Sequence, residues 1–337
     1  MVSLNAVRAS NNRVETDLIS DLVAVFAGGS RGIGESAMKQ FAKKASKPRI
    51  YVVGRTQVTG DRTLAELHQL NPEGKYVFLR YDMSLLRNID ELSRDLRSRE
   101  PTINLLFITF GTLVRETMTE ENLHYWAAIS YYNRMRLVVN LIPQIQKASS
   151  LRRVQLVMAG RHEGPIVTDN FAGHKMSFQT MKKHLSSMTT VGLEAIQKRA
   201  PEVTFIHSYP GFVGTDLLSE TNPSLFNKLL FKLMGVTIGG PIEKSGEYHL
   251  YLATSARFPP ADGNKGAEGV PLGAGIAVAK ASDGKKGGGV YNVNYDGENA
   301  GQKALDALAL LRKDGTAAKT WKHTEDEFLR VTNSLSI

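Results

Sequence analysis

A run of glycines between an apolar segment and a helical one is the part of this sequence best suited to chemistry: Val23-Ala24-Val25-Phe26-Ala27-Gly28-Gly29-Ser30-Arg31-Gly32-Ile33-Gly34. Glycine at 28, 32 and 34 lets backbone amides approach a pyrophosphate and lets a helix pack closely on a strand. The helix N-terminus then offers unpaired N–H groups and a positive dipole end to the phosphates. Taken alone such a trio also reads as an ordinary tight turn; a strand before it and a helix after it supply the context of a dinucleotide site. The next apolar run, Ile50-Tyr51-Val52-Val53-Gly54, ends at Arg55. That is about twenty residues beyond the turn, where an acidic side chain would bind the 2′-hydroxyl of NAD. Arg55 is basic, and no Asp or Glu follows before Asp61. With Arg31 inside the turn it could grip a 2′-phosphate by charge-assisted bonds, which favours NADP; the alternative is two solvated surface arginines.

The other groups that could act on a substrate are scattered. Cysteine is absent, which removes disulfides, thiolate metal sites and a thiol nucleophile together. His162, His174 and His184, and the phenols of Tyr131, Tyr132 and Tyr209, are candidate acids. A lone histidine is more often structural, since catalysis needs a partner within hydrogen-bond reach. His162-Glu163 has no second histidine at metal-binding spacing, so no metal site is assigned.

Elements that would position these residues follow from the periodicity. Strand-length apolar runs at Leu22–Ala27, Ile50–Gly54, Tyr76–Tyr81, Asn104–Thr109, Val154–Ala159, Val203–His207 and Val290–Val293 alternate with helical patterns near Gly34–Lys44, Arg62–Leu70, Ile89–Leu96, Glu121–Lys147 and Phe178–Lys198. Such alternation predicts an α/β fold: a doubly wound, mostly parallel sheet of seven strands with helices on both faces, Rossmann-type, in a single domain. A leader over 1–20 precedes a dinucleotide-binding domain over 21–300. That domain includes a Gly-, Pro- and Lys-rich insertion over 259–289 and is followed by a C-terminal helical extension over 301–337. Thr324 with Glu327 has capping-box spacing and predicts the start of a final helix.

Hydrophobic residues at 42% and charged residues at 22% fit a globular chain and exclude the disordered classes. No run approaches the roughly 18 apolar residues of a spanning helix, and no signal peptide is legible before Val23, so the expectation is a cytoplasmic protein without membrane association. The net charge of +9 suits anionic ligands. The basic residues are dispersed and lack aromatic interleaving, which argues against nucleic acid as a partner and for a small-molecule substrate.

Ala27-Gly28-Gly29-Ser30-Arg31-Gly32-Ile33-Gly34 resembles the Thr-Gly-x-x-x-Gly-x-Gly turn of the short-chain dehydrogenase/reductase family, with Ala27 where the family usually has Thr. Asp82, in Tyr81-Asp82-Met83-Ser84, matches the family's adenine-contacting acid. Pro210-Gly211-Phe212-Val213-Gly214-Thr215 resembles its Pro-Gly-x-x-x-Thr segment, which holds the nicotinamide amide. Gly111 is what remains of the Asn-Asn-Ala-Gly segment. The likeness runs from about Asp21 to Ser255. The insertion and the tail around Trp321-Lys322-His323-Thr324 are similar to fungal members of natural-product pathways. The resemblance implies Gly28, Ser30, Arg31, Gly32, Ile33, Gly34, Arg55, Asp82, Gly111, Pro210, Gly211, Val213 and Thr215 as contacts to NADP. It also implies a possible homodimer through the fourth and fifth crossover helices.

The resemblance fails at the catalytic positions. Ala159 or Gly160 stands where the family has Ser, and Ser130 where it has Asn. For the Tyr-x-x-x-Lys pair, an ungapped count gives Ser177 and Met181, and a one-residue slip gives Phe178 and Lys182; neither register has a phenol. Ser177 and Lys182 are the residues retained as catalytic candidates. Three functions stay open: an NADP(H)-dependent oxidoreductase on a small organic substrate, a redox-neutral cyclase, isomerase or lyase on the same fold, and a non-catalytic NADP-binding protein. The first is preferred because the cofactor residues are kept, and because an iminium or a conjugated enone needs less of a positioned acid than a simple ketone.

Overall fold

Odd and even residues of the first strand part to opposite faces: Val23, Val25 and Ala27 join one apolar core, Ala24 and Phe26 another, as the period of two requires. In this computed structural model, which describes residues 2–115, 117–211, 213, 241–263 and 268–337, the strands are β1 (Val23–Ala27), β2 (Arg49–Gly54), β3 (Lys75–Arg80), β4 (Leu105–Ile108), β5 (Arg153–Val157), β6 (Thr204–Ser208) and β7 (Val290–Val293). They form a seven-stranded sheet in the order β3-β2-β1-β4-β5-β6-β7. Every pairing is parallel. Because the order reverses at β1, Ala27 lies between Val53 of β2 and Ile108 of β4, and the chain departs on opposite faces beyond them. A crevice at the carboxyl ends of the strands is the consequence of that reversal.

The helices are α1 (Leu4–Asn11), α2 (Val14–Asp17), α3 (Gly32–Lys44), α4 (Gln57–Leu70), α5 (Leu86–Arg99), α6 (Tyr125–Ala127), α7 (Asn133–Gln146), α8 (Phe178–Gln197), α9 (Ile242–Thr254), α10 (Gln302–Lys313) and α11 (Thr316–Thr332). The pattern near Glu121–Lys147 is interrupted: the helix starts at Tyr125, and a π-helical stretch, Ala128–Tyr132, separates α6 from α7. One extra residue in that turn offsets the faces of α6 and α7. None of the described helices is long and apolar enough to cross a membrane.

The flanking segments are packed against the sheet domain. Val2 and Val7 share a small core with Ile206, Tyr248, Tyr251 and Phe258, and Ala279 and Ala281 of the 259–289 segment join them. At the other end the expectation of a helix beginning at Thr324 is corrected: α11 begins at Thr316, and Thr324 is fully buried in its middle. The Thr324 hydroxyl donates to the Thr320 carbonyl at 2.8 Å and pairs with the Tyr131 hydroxyl at 2.6 Å. Phe328 enters the main core, where the Arg136 guanidinium lies over its ring. Arg136 also forms a two-pronged pair with Asp90 of α5, at 2.7 and 2.8 Å, and donates to the Ser334 carbonyl at 2.9 Å. These contacts hold α11 on the face built by α5, α7 and α8.

Candidate functional site

The glycine turn is built by close approach. Gly28 has φ +90°, a left-handed value that a side chain strains to adopt. A Cβ there would lie 2.5 Å from the Phe110 amide nitrogen. At Gly34 it would collide with Thr109 Oγ1 and stand 2.6 Å from the Gly28 carbonyl. Thr109 Oγ1 donates to that same carbonyl at 3.0 Å, so β4, the turn and the start of α3 are drawn together around one point. Gly54 ends β2 beside Ser30, whose Oγ would be 2.9 Å from a Cβ at 54. Ile33 packs into the apolar core under α3. The first-turn amides of α3 therefore face the strand ends from a fixed backbone, a geometry that can hold a pyrophosphate.

Charge around the turn is arranged to keep an anion welcome. Arg31 is the exposed N-cap residue of α3, and Arg55 is exposed at the end of β2. A third arginine, which sequence reasoning missed, belongs to this group: Arg62 of α4 donates to the Ser30 carbonyl at 3.1 Å. Glu35, the acidic residue in the first turn of α3, is held by Arg62 at 3.2 Å and by Lys39 at 2.7 Å. Those pairings offset a carboxylate that would otherwise oppose a phosphate. Only the folded register of α4 against α3 reveals Arg62; its spacing from the glycines carries no signal.

Asp82 lies just beyond β3, exposed, with one carboxylate oxygen accepting from the Ser84 amide at 3.0 Å. Gly111 follows β4, where a Cβ would lie 3.1 Å from Arg134 Nη2. Arg134 is buried; its guanidinium donates to the Phe110 carbonyl and, at 3.0 Å, to the Val157 carbonyl, tying the ends of β4 and β5 together. Burial pulls its pKa down to about 9. Pro210, Gly211 and Val213 follow β6, with Gly211 against the Tyr295 ring. Thr215 lies outside the described residues.

At the ends of β5 and β6 a second group assembles. Lys182 Nζ sits 4.9 Å from the centroid of the Tyr209 ring, and His162 meets the same ring edge-on at 4.4 Å. Tyr209 is the first residue past β6, and its amide donates to the Val293 carbonyl at 2.8 Å, so the phenol is carried on an extension of the sheet. Arg161 adds a positive charge from a backbone with φ +80°, an uncommon conformation for a bulky residue and one that concentrates at functional sites. Burial raises the Tyr209 pKa and Arg161 opposes that rise. Burial, then Arg161, lowers the pKa of Lys182. Burial, with Lys182 and Arg161 nearby, pushes His162 down to about 4, so its imidazole is neutral at pH 7.

The α8 register resolves around this group. Met181 is buried in the core, whereas Lys182 is half-buried at the strand ends. Phe178, one turn earlier on the same face, stacks on Trp126 at 5.5 Å. Ser177 caps α8: its exposed hydroxyl accepts from the Thr180 amide at 3.2 Å and pairs with the Thr180 hydroxyl at 2.8 Å. Five residues from Lys182, it does not share a helix face with it. Ser130 is buried within the π stretch.

A buried polar network supports the loop after β5. The Ala159 amide donates to His207 Nε2 at 3.3 Å, which leaves the ring proton on Nδ1, 3.0 Å from Thr190 Oγ1. Thr190 in turn donates to Glu163 at 2.9 Å, and Asn292 donates to the same carboxylate oxygen. Ser186 Oγ donates to the Ala159 carbonyl at 2.7 Å. A Cβ at Gly160 would collide with the His207 carbonyl. The missing serine at 159–160 therefore has a steric counterpart at 160, where the loop is pressed onto β6.

Comparisons with known proteins agree with this geometry. A family model described as short chain dehydrogenase matches residues 22–225. The chain is 36% identical to "Oxidoreductase andH" of Emericella variicolor over 340 residues, covering 99% of each chain. It is also 36% identical to "Oxidoreductase AN1596" of Emericella nidulans, covering 96% of this chain and 97% of that one. Among solved structures it is similar to YwfH, an NADPH dependent reductase involved in bacilysin biosynthesis, with a TM-score of 0.56 at 14% identity over 70% of this chain and 92% of that one. With a parallel sheet reversing at β1, a glycine cradle beside it and a family model covering most of the sheet, this chain belongs to the short-chain dehydrogenase/reductase family.

Proposed function

We propose that this protein is an NADP(H)-dependent reductase of a small organic substrate in secondary metabolism. The observation that carries the reading is the cradle at Gly28 and Gly34, closed to any Cβ, with Arg31 exposed in the turn and Arg55, not an acidic residue, exposed just past β2. When bound there, NADPH supplies a hydride at the strand ends. Gly28, Ser30, Gly32, Ile33 and Gly34 would line the pyrophosphate through backbone amides. Arg31 and Arg55 would pair with the 2′-phosphate, assisted by Arg62. Asp82 would border the adenine, and Gly111, Pro210, Gly211, Val213 and Thr215 the nicotinamide half. Lys182 would hold the ribose, since it stands three strands from the cradle. At about 4.8 Å per strand that is roughly 14 Å, a span an extended dinucleotide bridges. Ser177, engaged as the α8 cap, would act on the site only through the position of that helix. The names of the Emericella relatives and the NADPH-dependent neighbour support the same reading.

Fluorescence titration tests it: NADPH should bind at least tenfold more tightly than NADH, and Arg55→Asp should reverse or erase that preference. An unchanged preference in Arg55→Asp would remove the argument for NADP. The second reading, a redox-neutral reaction in the same pocket, is favoured by the lack of a hydroxyl at Ala159 and Gly160. Transfer of deuterium from labelled NADPH into product separates the two.

A further inference from the structure

Resting on the reductase reading, the geometry points to Tyr209, on the loop after β6, as the proton donor of this site, taking the role that the resemblance gives to a phenol on α8. Neither register of α8 offers that phenol, yet the one lysine of the slipped register, Lys182, lies against the face of a phenol brought from another element, 4.9 Å from its centroid. Tyr209 stands at the carboxyl end of β6, on the same side of the sheet as the glycine cradle. Its ring is fixed by His162 at 4.4 Å and its backbone by the bond to Val293.

Among the described residues, the charged and titratable groups facing it are Arg161 and His162 from the loop after β5, Lys182 from α8 and Tyr295 from the loop after β7. Of these, the Arg161 guanidinium opposes the rise that burial imposes on the phenol and so favours the phenolate left after proton transfer. The neutral His162 meets the phenol ring edge-on, and its buried Nε2 has no partner among the described residues.

A C–H bond forms at the substrate carbonyl carbon as it accepts the hydride of the dihydronicotinamide. The C=O π pair moves to oxygen, and the Tyr209 Oη–H bond breaks as the new O–H bond forms. The substrate is reduced by two electrons, the dinucleotide is oxidised, and water returns a proton to the phenolate.

Tyr209→Phe keeps the ring that His162 and Lys182 contact, so the fold should survive, as thermal melting will show. NADPH affinity, read by fluorescence, should stay within about twofold. Turnover of phenanthrenequinone or a simple α-diketone should fall by roughly 10²-fold or more. A spectroscopic measurement is independent of turnover: the difference in near-ultraviolet phenolate absorbance between the unaltered chain and Tyr209→Phe follows Tyr209 across pH. Arg161→Ala should move that ionisation upward. Unchanged turnover in Tyr209→Phe overturns the assignment. So does an unaltered chain that binds NADPH and reduces none of the probes, or an Arg161→Ala chain with an unmoved ionisation. A chain that fails to bind NADPH at all overturns the reductase reading itself.

Discussion

Gly160 shows how a single missing side chain can shape a site. Its would-be Cβ falls on the His207 carbonyl, and the next residue, Arg161, takes up φ +80° to carry its charge toward Tyr209 and Lys182. A hydroxyl could be restored at 160 only by pushing the loop off β6, where the Ala159 amide meets His207. Gly160→Ala should therefore lower stability by roughly 2–3 kcal/mol, an overpacking effect seen as a fall in the denaturation midpoint. A midpoint equal to that of the unaltered chain would mean the loop yields freely. Arg134 illustrates the opposite case, a charge buried without a carboxylate among its hydrogen-bond partners in the described residues. Its Nε and Nη2 donate to the Phe110 carbonyl and its Nη1 to the Val157 carbonyl, so it works as a clasp between strand ends.

Among the elements, α11 has the most to say about assembly. It lies on the α5, α7 and α8 face, with Phe328 in the core, Thr324 bonded to Tyr131, and His323 Nε2 2.7 Å from the Tyr132 hydroxyl. The face that the family resemblance would give to a second subunit is covered by the chain's own helix. The full chain is expected to sediment as a monomer, and a chain ending at Lys313 to be less stable and to self-associate through the uncovered apolar stripe. A full-length dimer joined through α8 would contradict this. Legibility differs sharply between elements. Strands such as Val23–Ala27 were readable because fully buried parallel strands are written as continuous apolar runs. The helix start at Thr316 was not, because the Thr324–Glu327 spacing imitates a cap. Thr324 instead answers to Tyr131, far away in sequence. The α8 register was unreadable for a related reason: one residue separates a core position, Met181, from a site position, Lys182, and the loop before α8 decides which is which.

For the molecule as a whole, acid is the condition that should expose its weak points. His249 is buried between α9 and the sheet, its Nδ1–H donating to the Ser245 carbonyl at 2.7 Å and its Nε2 without a partner among the described residues. Burial pushes its pKa down to about 4, as it does for His162. The unfolded chain, with histidines near pKa 6.5, binds these protons first. Their contribution to stability is therefore complete above about pH 6.5 and is lost as pH falls toward 4. His249→Phe should flatten that decline by roughly 3 kcal/mol in denaturant titrations across the window. An identical slope would show that His249 is not the group responsible. The cradle and the crevice were foreseeable from Gly28, Gly34 and Arg55. The grouping of Tyr209, Lys182, Arg161 and His162 was not, since it is made by β5, β6 and α8 meeting in space.

The position of β1 has a kinetic side as well. It sits between β2 and β4, and the glycine cradle is complete only when Ala27 has both Val53 and Ile108 beside it and Thr109 has reached Gly28. Pairings of such wide sequence separation form slowly. A ligand that binds only the completed cradle stabilises the native sheet over the unfolded chain, so it is expected to retard the opening of that sheet.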